Sequence, residues 1–190
     1  MPITTSDSTL RSLADQELAL YHRVQALAGT IDAIHEQLII SNISEEYLQV
    51  HRTYLHLAAA APAAATRLEA LKRLVFLAWY SMNEPAFNSG LGYYDPDLQR
   101  SSYALLEAHL ATTAPLDPEL HWMLVHYAAF WDDDLLPAIT GLPLSTISAF
   151  IAAKDPAVYL VPERQLPPGT MAHRGQLGLY WQSLGVAQTP

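Results

Sequence analysis

The stretch Leu68–Tyr94, LEALKRLVFLAWYSMNEPAFNSGLGYY, decides the fold of this chain. A charged turn leads into ten residues, Leu74 to Asn83, that carry no charge. A helix that is apolar on all sides has to be covered on all sides. Glu84 precedes a proline and therefore avoids helical geometry, which places the helix end just before it. The stretch predicts a central helix surrounded by other helices, followed by an aromatic loop.

The segments around this helix also have helical signals. Asp95-Pro96 and Asp117-Pro118 each combine an N-cap residue with a proline suited to the first turn. The second of them starts a helix to about Asp133 that is almost free of charge, and we expect this helix and the central one to form the packed core. Upstream, Thr30 and Ser44 are the expected N-caps of two further helices.

The predicted architecture is all-α, a single irregular or bundle-like helical domain of six to eight helices with a Pro-rich C-terminal extension. The helical domain spans residues 1–160. Residues 161–190 form the extension, partly helical and docked on the domain or on a partner. Val161–Gly169 contains three prolines, which favours an extended connection. Two glycines in 170–184 leave helix and extended structure both open for that segment.

Composition narrows the classes of function. The 19 acidic residues outnumber 10 Lys and Arg, giving a net charge of −9, which argues against binding nucleic acid or an anionic membrane surface. The absence of Cys excludes thiolate chemistry. The polar start, MPITTSDSTLRS, lacks a secretory signal, and no stretch approaches the roughly 20 apolar residues of a membrane span. We therefore expect a cytoplasmic protein.

A metal site was sought among the eight His and the acidic residues. The pairs His51/His56 and His121/His126 are five residues apart, roughly 140° around a helix, and cannot chelate from one face. The run Asp132, Asp133 and Asp134 opposes the dipole of the helix that it ends. A divalent cation such as Mg²⁺ would compensate for these charges, and the alternative is that the helix simply ends there.

Glu84 is an acid in an apolar setting and suggests a small-ligand pocket. If the central helix and the Pro118 helix run parallel, Glu84, His126 and the three aspartates share one end. Aromatic walls with a few converging polar groups are typical of ligand sites. The alternative is ordinary core and loop packing. The candidate pocket residues are Trp79, Tyr80, Glu84, Phe87, Tyr93, Tyr94, His126 and Trp131.

Two functions remain open. The favoured one is a small acidic protein that acts through protein–protein interaction, in a regulatory, inhibitory or immunity-like role, without catalysis or cofactor. Its partner is another protein or a second copy, and its contact surface would be an exposed apolar patch involving Tyr93, Tyr94 or Leu177–Trp181. The alternative is a small-molecule-binding or divalent-metal-assisted enzyme built around Glu84, His126 and Asp132–Asp134.

Overall fold

The computed structural model describes residues 5–91, 95–113, 115–130, 135–152 and 170–184, and these ranges are helical with no strand. The predicted all-α class is therefore confirmed. Ten helices occur in these ranges, more than the six to eight expected, because α5 and α8 are only one or two turns long. The helices are α1 (Thr5–Gln25), α2 (Ile31–Ile40), α3 (Ile43–Ala60), α4 (Ala64–Asn83), α5 (Ala86–Ser89), α6 (Pro96–Thr112), α7 (Pro118–Ala128), α8 (Leu135–Thr140), α9 (Ser145–Ala152) and α10 (Gly175–Ser183).

The chain divides into two compact units. The first unit comprises Met1–Asp95 and Gln165–Pro190, and the second comprises Pro96–Arg164. The central helix α4 belongs to the first unit and α7 to the second, so each contributes to the core of its own unit. The predicted division between residues 160 and 161 lies outside the described residues and stays a prediction.

Helix α4 is the centre of the first unit. All residues from Leu71 to Trp79 are buried, as expected of a helix covered on all sides. It packs against α1, α3 and α10. The helix ends at Asn83, where the predicted stop residue Glu84 donates its backbone N–H to the Tyr80 carbonyl at 2.8 Å.

The C-terminal segment 170–184 is helical over α10 and belongs to this core. Trp181 is fully buried and Leu177 almost so, in a helix that packs against α1 and α4. These two side chains are therefore part of the interior, and the expectation that Leu177–Trp181 forms an exposed apolar patch is wrong for them. Burial of apolar area is the main favourable term in folding, so this docking stabilises the first unit.

Among the predicted N-caps, Thr30 and Asp117 are confirmed and Ser44 is wrong. Thr30 Oγ1 accepts from the Ala33 N–H at 3.3 Å, and Asp117 Oδ1 accepts from the Leu120 N–H at 2.8 Å. Ser44 is not the cap of α3, because the helix already begins at Ile43 and its N-cap is Asn42. Asn42 adopts a left-handed conformation with φ 61°, which asparagine tolerates better than most residues.

No helix in the described ranges is both long and apolar enough to span a membrane.

The second unit is built from α6 to α9. Helix α6 packs against α8 and α9, and α7 packs against α9. The Arg100 guanidinium donates to the Thr140 carbonyl at 2.7 Å and joins α6 to the end of α8. The buried core side chains of the second unit include Leu98, Tyr103, Leu106, Leu120, Met123, Leu124, Tyr127, Leu136, Ile147 and Ile151.

A glutamate from α6 caps the start of α9. The Glu107 carboxylate accepts from the Thr146 N–H at 2.7 Å and from the Ile147 N–H at 2.9 Å. It also accepts from the Ser145 hydroxyl at 3.2 Å. The first N–H groups of a helix have no partner within it, so Glu107 satisfies two of them from another helix.

Replacing Glu107 with Ala is expected to lower the free energy of unfolding by about 1–2 kcal/mol, the usual cost of losing a helix cap. Urea unfolding followed by circular dichroism measures this loss. Glu107→Gln keeps one acceptor oxygen and should lose less. Equal stability of Glu107→Ala and wild type would show that water replaces the carboxylate at no cost.

Candidate functional site

A buried carboxyl group lies at the centre of the first unit. Glu17 on α1 is only 1% exposed. Its Oε1 accepts a short hydrogen bond from the Tyr54 hydroxyl, and its Oε2 accepts from the Gln176 backbone N–H at 3.1 Å. The Arg73 guanidinium in turn donates to the Tyr54 hydroxyl at 3.3 Å. Glu17 thus caps the start of α10 from α1, as Glu107 caps α9 in the second unit.

The surroundings of Glu17 make it titrate near neutral pH. Burial raises its pKa from 4.5 to about 7, although the hydrogen bonds from Tyr54 and Gln176 and the charge of Arg73 act in the opposite direction. Because the carboxyl is almost completely enclosed, it is not placed to meet a substrate. It instead holds the start of α10 through the Gln176 backbone N–H.

Gly175 allows this close approach. It has φ +60°, and a Cβ added to it would lie 2.5 Å from Glu17 Oε2. Glu17 was not among the residues predicted from the sequence, although a signal for it was present. Leu13, Glu17 and Leu20 follow one another at spacings of four and three residues, so Glu17 occupies a position on the apolar face of α1.

A second carboxylate, Glu69, joins two arginines at the edge of this network. It accepts from Arg73 Nε at 2.7 Å and from Arg174 at 2.8 and 2.6 Å. Glu69 and Arg73 are four residues apart on α4, so this ion pair lies within one helix. Arg73 also donates to the carbonyls of Leu10 at 2.8 Å and His173 at 3.3 Å, so it contacts α1 and the C-terminal segment.

Gln176 connects α10 to α3 and to the end of α5. Its Nε2 donates to the Tyr47 hydroxyl and to the Ser89 carbonyl at 3.0 Å. The Tyr47 hydroxyl donates to the Glu17 backbone carbonyl at 3.4 Å. Since Ser89 O can only accept, the amide nitrogen must face it. The Gln176 Oε1 is buried and accepts no hydrogen bond from the described part of the chain.

An aromatic cleft of about 90 Å³ lies beside this network. The ring centroids of Tyr80 and Tyr180 are 5.5 Å apart with their planes at 63°. Phe76 stacks behind Tyr80 at 5.0 Å. The cleft reaches solvent because Leu179 and Ser183 on its rim are exposed. We call it the tyrosine cleft; its lining residues are Tyr21, Tyr80, Gln176, Leu179, Tyr180 and Ser183.

The structure brings some of the predicted pocket residues to this cleft. Tyr80 lines it, and Trp79 lies buried with its ring 5.4 Å from that of Tyr180. Glu84 follows α4 directly and accepts from Asn88 Nδ2 at 2.7 Å. Burial and the nearby Glu84 carboxylate together raise the pKa of Tyr180 to about 12. Phe87 is not among the lining residues, and its ring is 6.2 Å from that of His35.

The described structure does not test whether the other predicted site residues come together. His126 lies in the second unit, 5.4 Å from the Phe130 ring, and burial lowers its pKa to about 4. Tyr93, Tyr94, Trp131 and Asp132–Asp134 lie outside the described residues. Within the described ranges, no three His, Asp or Glu side chains group as a metal site. The Mg²⁺ site and its convergence with Glu84 stay predictions.

Comparison with family models, with curated proteins and with solved structures gives no match to this chain.

Proposed function

We propose that this is a cytoplasmic protein that acts by binding another protein, without catalysis, through the exposed face of α2. The observation that carries the proposal is the exposure of three isoleucines on this ten-residue helix. Ile31, Ile39 and Ile40 are 53%, 56% and 75% exposed. Isoleucine is among the residue types most often buried, so the neighbouring Ile39 and Ile40, both exposed at the end of one short helix, favour a contact surface. Ile31 lies about 180° around the helix from Ile40, at the far edge of the exposed side.

The charges around this face favour a basic partner. Helix α2 packs against α3 and α5 through its other side, where Leu38 is buried. Asp32 and Glu36 are exposed beside the isoleucines. A second copy of the chain would bring these acids together with like charges, which is unfavourable. A different protein with apolar side chains flanked by Lys or Arg fits better and also suits the net charge of −9.

The test uses a triple variant, Ile31→Gln, Ile39→Gln and Ile40→Gln, because Gln keeps a good helix propensity. The immobilised wild-type and variant proteins are compared in affinity capture, and the captured protein is then purified and its affinity measured. We expect the variant to bind it at least about ten-fold more weakly, because apolar contact area is lost. Added salt should also weaken the wild-type complex.

Phe130→Gln is the matched control, since Phe130 is 55% exposed but lies in the second unit. It should capture the partner as wild type does. Unchanged capture by the triple variant would overturn the proposal. Concentration-dependent dimerisation that is lost in the triple variant would overturn the choice of a different protein as partner.

A further inference from the structure

The tyrosine cleft has the composition of a site for a cation. Three tyrosines line it, and the faces of aromatic rings attract a positive charge. Glu84 follows α4 one turn after Tyr80, and the charge of its carboxylate acts on both Tyr80 and Tyr180. Its hydrogen-bond donor Asn88 is neutral and leaves the negative charge in place. An anionic ligand is therefore disfavoured.

Gln176, a residue of the cleft wall, also has an acceptor that lacks a donor. Gln176 is 2% exposed and lines the cleft, and its Oε1 accepts no hydrogen bond from any described residue. Leaving a buried acceptor unsatisfied costs about 1–3 kcal/mol. A ligand that donates a hydrogen bond to this oxygen would remove that cost. A primary ammonium has three N–H donors and a positive charge, and so meets both requirements.

The size of the cleft restricts the ligand. A volume of about 90 Å³ corresponds to roughly three water molecules, and drug-sized ligands occupy about 300 Å³ or more. The cleft can hold an ammonium group with a few methylenes but not a nucleotide or a sugar. Leu179 on its rim is apolar and suits an alkyl chain.

We infer that the tyrosine cleft binds a primary alkylammonium group, held by the faces of Tyr80 and Tyr180 and by the Gln176 Oε1. The ammonium could come from a free amine or from a lysine side chain of a protein. This inference goes beyond the proposed function and involves none of the α2 residues, so either can fail without the other.

The test is a titration of the full chain with n-butylammonium, and with n-butanol as a neutral ligand of similar length. The rings of Trp79 and Trp181 are each 5.4 Å from that of Tyr180, so tryptophan fluorescence should report occupancy of the cleft. We expect saturable binding of butylammonium with a Kd on the order of millimolar, and binding of butanol about ten-fold weaker. Tetramethylammonium, which has no N–H, should also bind more weakly.

Two pairs of variants locate the binding. Tyr180→Leu removes the aromatic face and should weaken butylammonium binding about ten-fold, whereas Tyr180→Phe keeps the face and should bind like wild type. Glu84→Gln should weaken binding of butylammonium but not of butanol. Glu45→Gln removes the same charge from an exposed position on α3 and should have no effect. Thermal unfolding of each variant confirms that it is folded.

A peptide with one lysine, compared with the same peptide carrying norleucine, distinguishes the sources. Tighter binding of the lysine peptide than of butylammonium indicates a protein lysine, and weaker binding indicates a free amine. The inference is overturned if butanol binds as well as butylammonium, or if Tyr180→Leu binds like wild type. It is also overturned if no saturable binding occurs up to about 0.1 M, where the free energy of binding would be negligible.

Discussion

The Glu17→Gln variant is expected to gain stability relative to wild type as the pH rises. The difference between their free energies of unfolding should increase in favour of the variant by about 3 kcal/mol from pH 4.5 to pH 7. Burial raises the pKa of Glu17 to about 7 in the folded protein, against 4.5 for the free side chain. The folded state therefore holds its proton more tightly than the unfolded state. Protonation stabilises the fold below pH 4.5, and this stabilisation is lost as the pH rises through 7. Gln cannot ionise, so the variant does not lose stability in this way.

The difference between variant and wild type is the quantity to measure, because other buried groups titrate in the same range. His51 is buried, its Nε2 has no hydrogen-bond partner among the described residues, and burial lowers its pKa to about 4. The folded state disfavours protonation of His51, so the stability that neutral His51 contributes is lost as the pH falls from 6.5 towards 4. This slope opposes that of Glu17 and can hide it in the wild-type curve. Subtraction removes the contribution of His51 from the comparison.

The measurement is urea unfolding at half-unit steps of pH, with Asp15→Asn as the control. Asp15 lies on the same helix as Glu17 but is exposed. Its substitution removes one formal charge without changing a buried carboxyl, and its difference from wild type should not follow the Glu17 curve. A difference between Glu17→Gln and wild type that stays constant from pH 4.5 to 7 would contradict the prediction. It would show that Tyr54 and Arg73 offset the cost of burial.

The helices were predictable because their signals are local. Thr30, Pro96 and Asp117 mark helix starts through their own backbone and side-chain chemistry. Glu84-Pro85 marks a helix end in the same way. The uncharged run of α4 indicates complete burial whatever covers it. The start and end signals depend on residues within about one turn, and the uncharged run depends on ten consecutive residues. No knowledge of the tertiary structure is needed to use any of them.

The polar network depends on residues far apart in sequence, which is why the sequence did not reveal it. Glu17 binds the N–H of Gln176, 159 positions away. Glu69 binds Arg174 across 105 positions. The basic residues Lys72 and Arg73 look like a solvated helix face or salt-bridge partners, yet both are buried. Arg73 can be enclosed because Glu69, the Leu10 carbonyl, the Tyr54 hydroxyl and the His173 carbonyl of the C-terminal segment all accept from it.

The tyrosine cleft was predictable only in part, because its residues come from both α4 and α10. Tyr80 and Glu84 lie within one turn at the end of α4, so an aromatic ring and an acid were expected together there. Tyr180 and Gln176 come from α10, whose helical conformation the sequence left open because of its two glycines. Gly175 is explained by the Glu17 carboxylate, which leaves no space for a Cβ.

Replacing Glu69 with Gln is expected to lower the free energy of unfolding by about 3 kcal/mol, the lower end of the cost of breaking a buried ion pair. Arg73 and Arg174 side chains are each only 6% exposed, and both lose their carboxylate partner in this variant. Glu69 itself is 24% exposed, so water reduces the loss. For a chain of this size the melting temperature should fall by several degrees, which differential scanning calorimetry measures.

Glu45→Gln is the matched control, because Glu45 pairs with Arg52 on the surface, where its side chain is 58% exposed. Exposed ion pairs contribute little, so this variant should melt almost as wild type does. A loss for Glu69→Gln no larger than that of the control would contradict the prediction.

The Glu69–Arg174 pair should also hold the C-terminal segment to the first unit, and a double-mutant cycle separates this role from a general loss of stability. Arg174→Met removes the charge but keeps a long side chain. If the two residues stabilise the fold mainly through each other, Glu69→Gln and Arg174→Met together lose less than the sum of the single losses. Hydrogen exchange of the α10 amides should then increase in each single variant. The opposite result is that the two losses of stability are additive and the α10 amides stay as protected from exchange as in wild type. It would show that Glu17 and the buried Trp181 hold the segment without this pair.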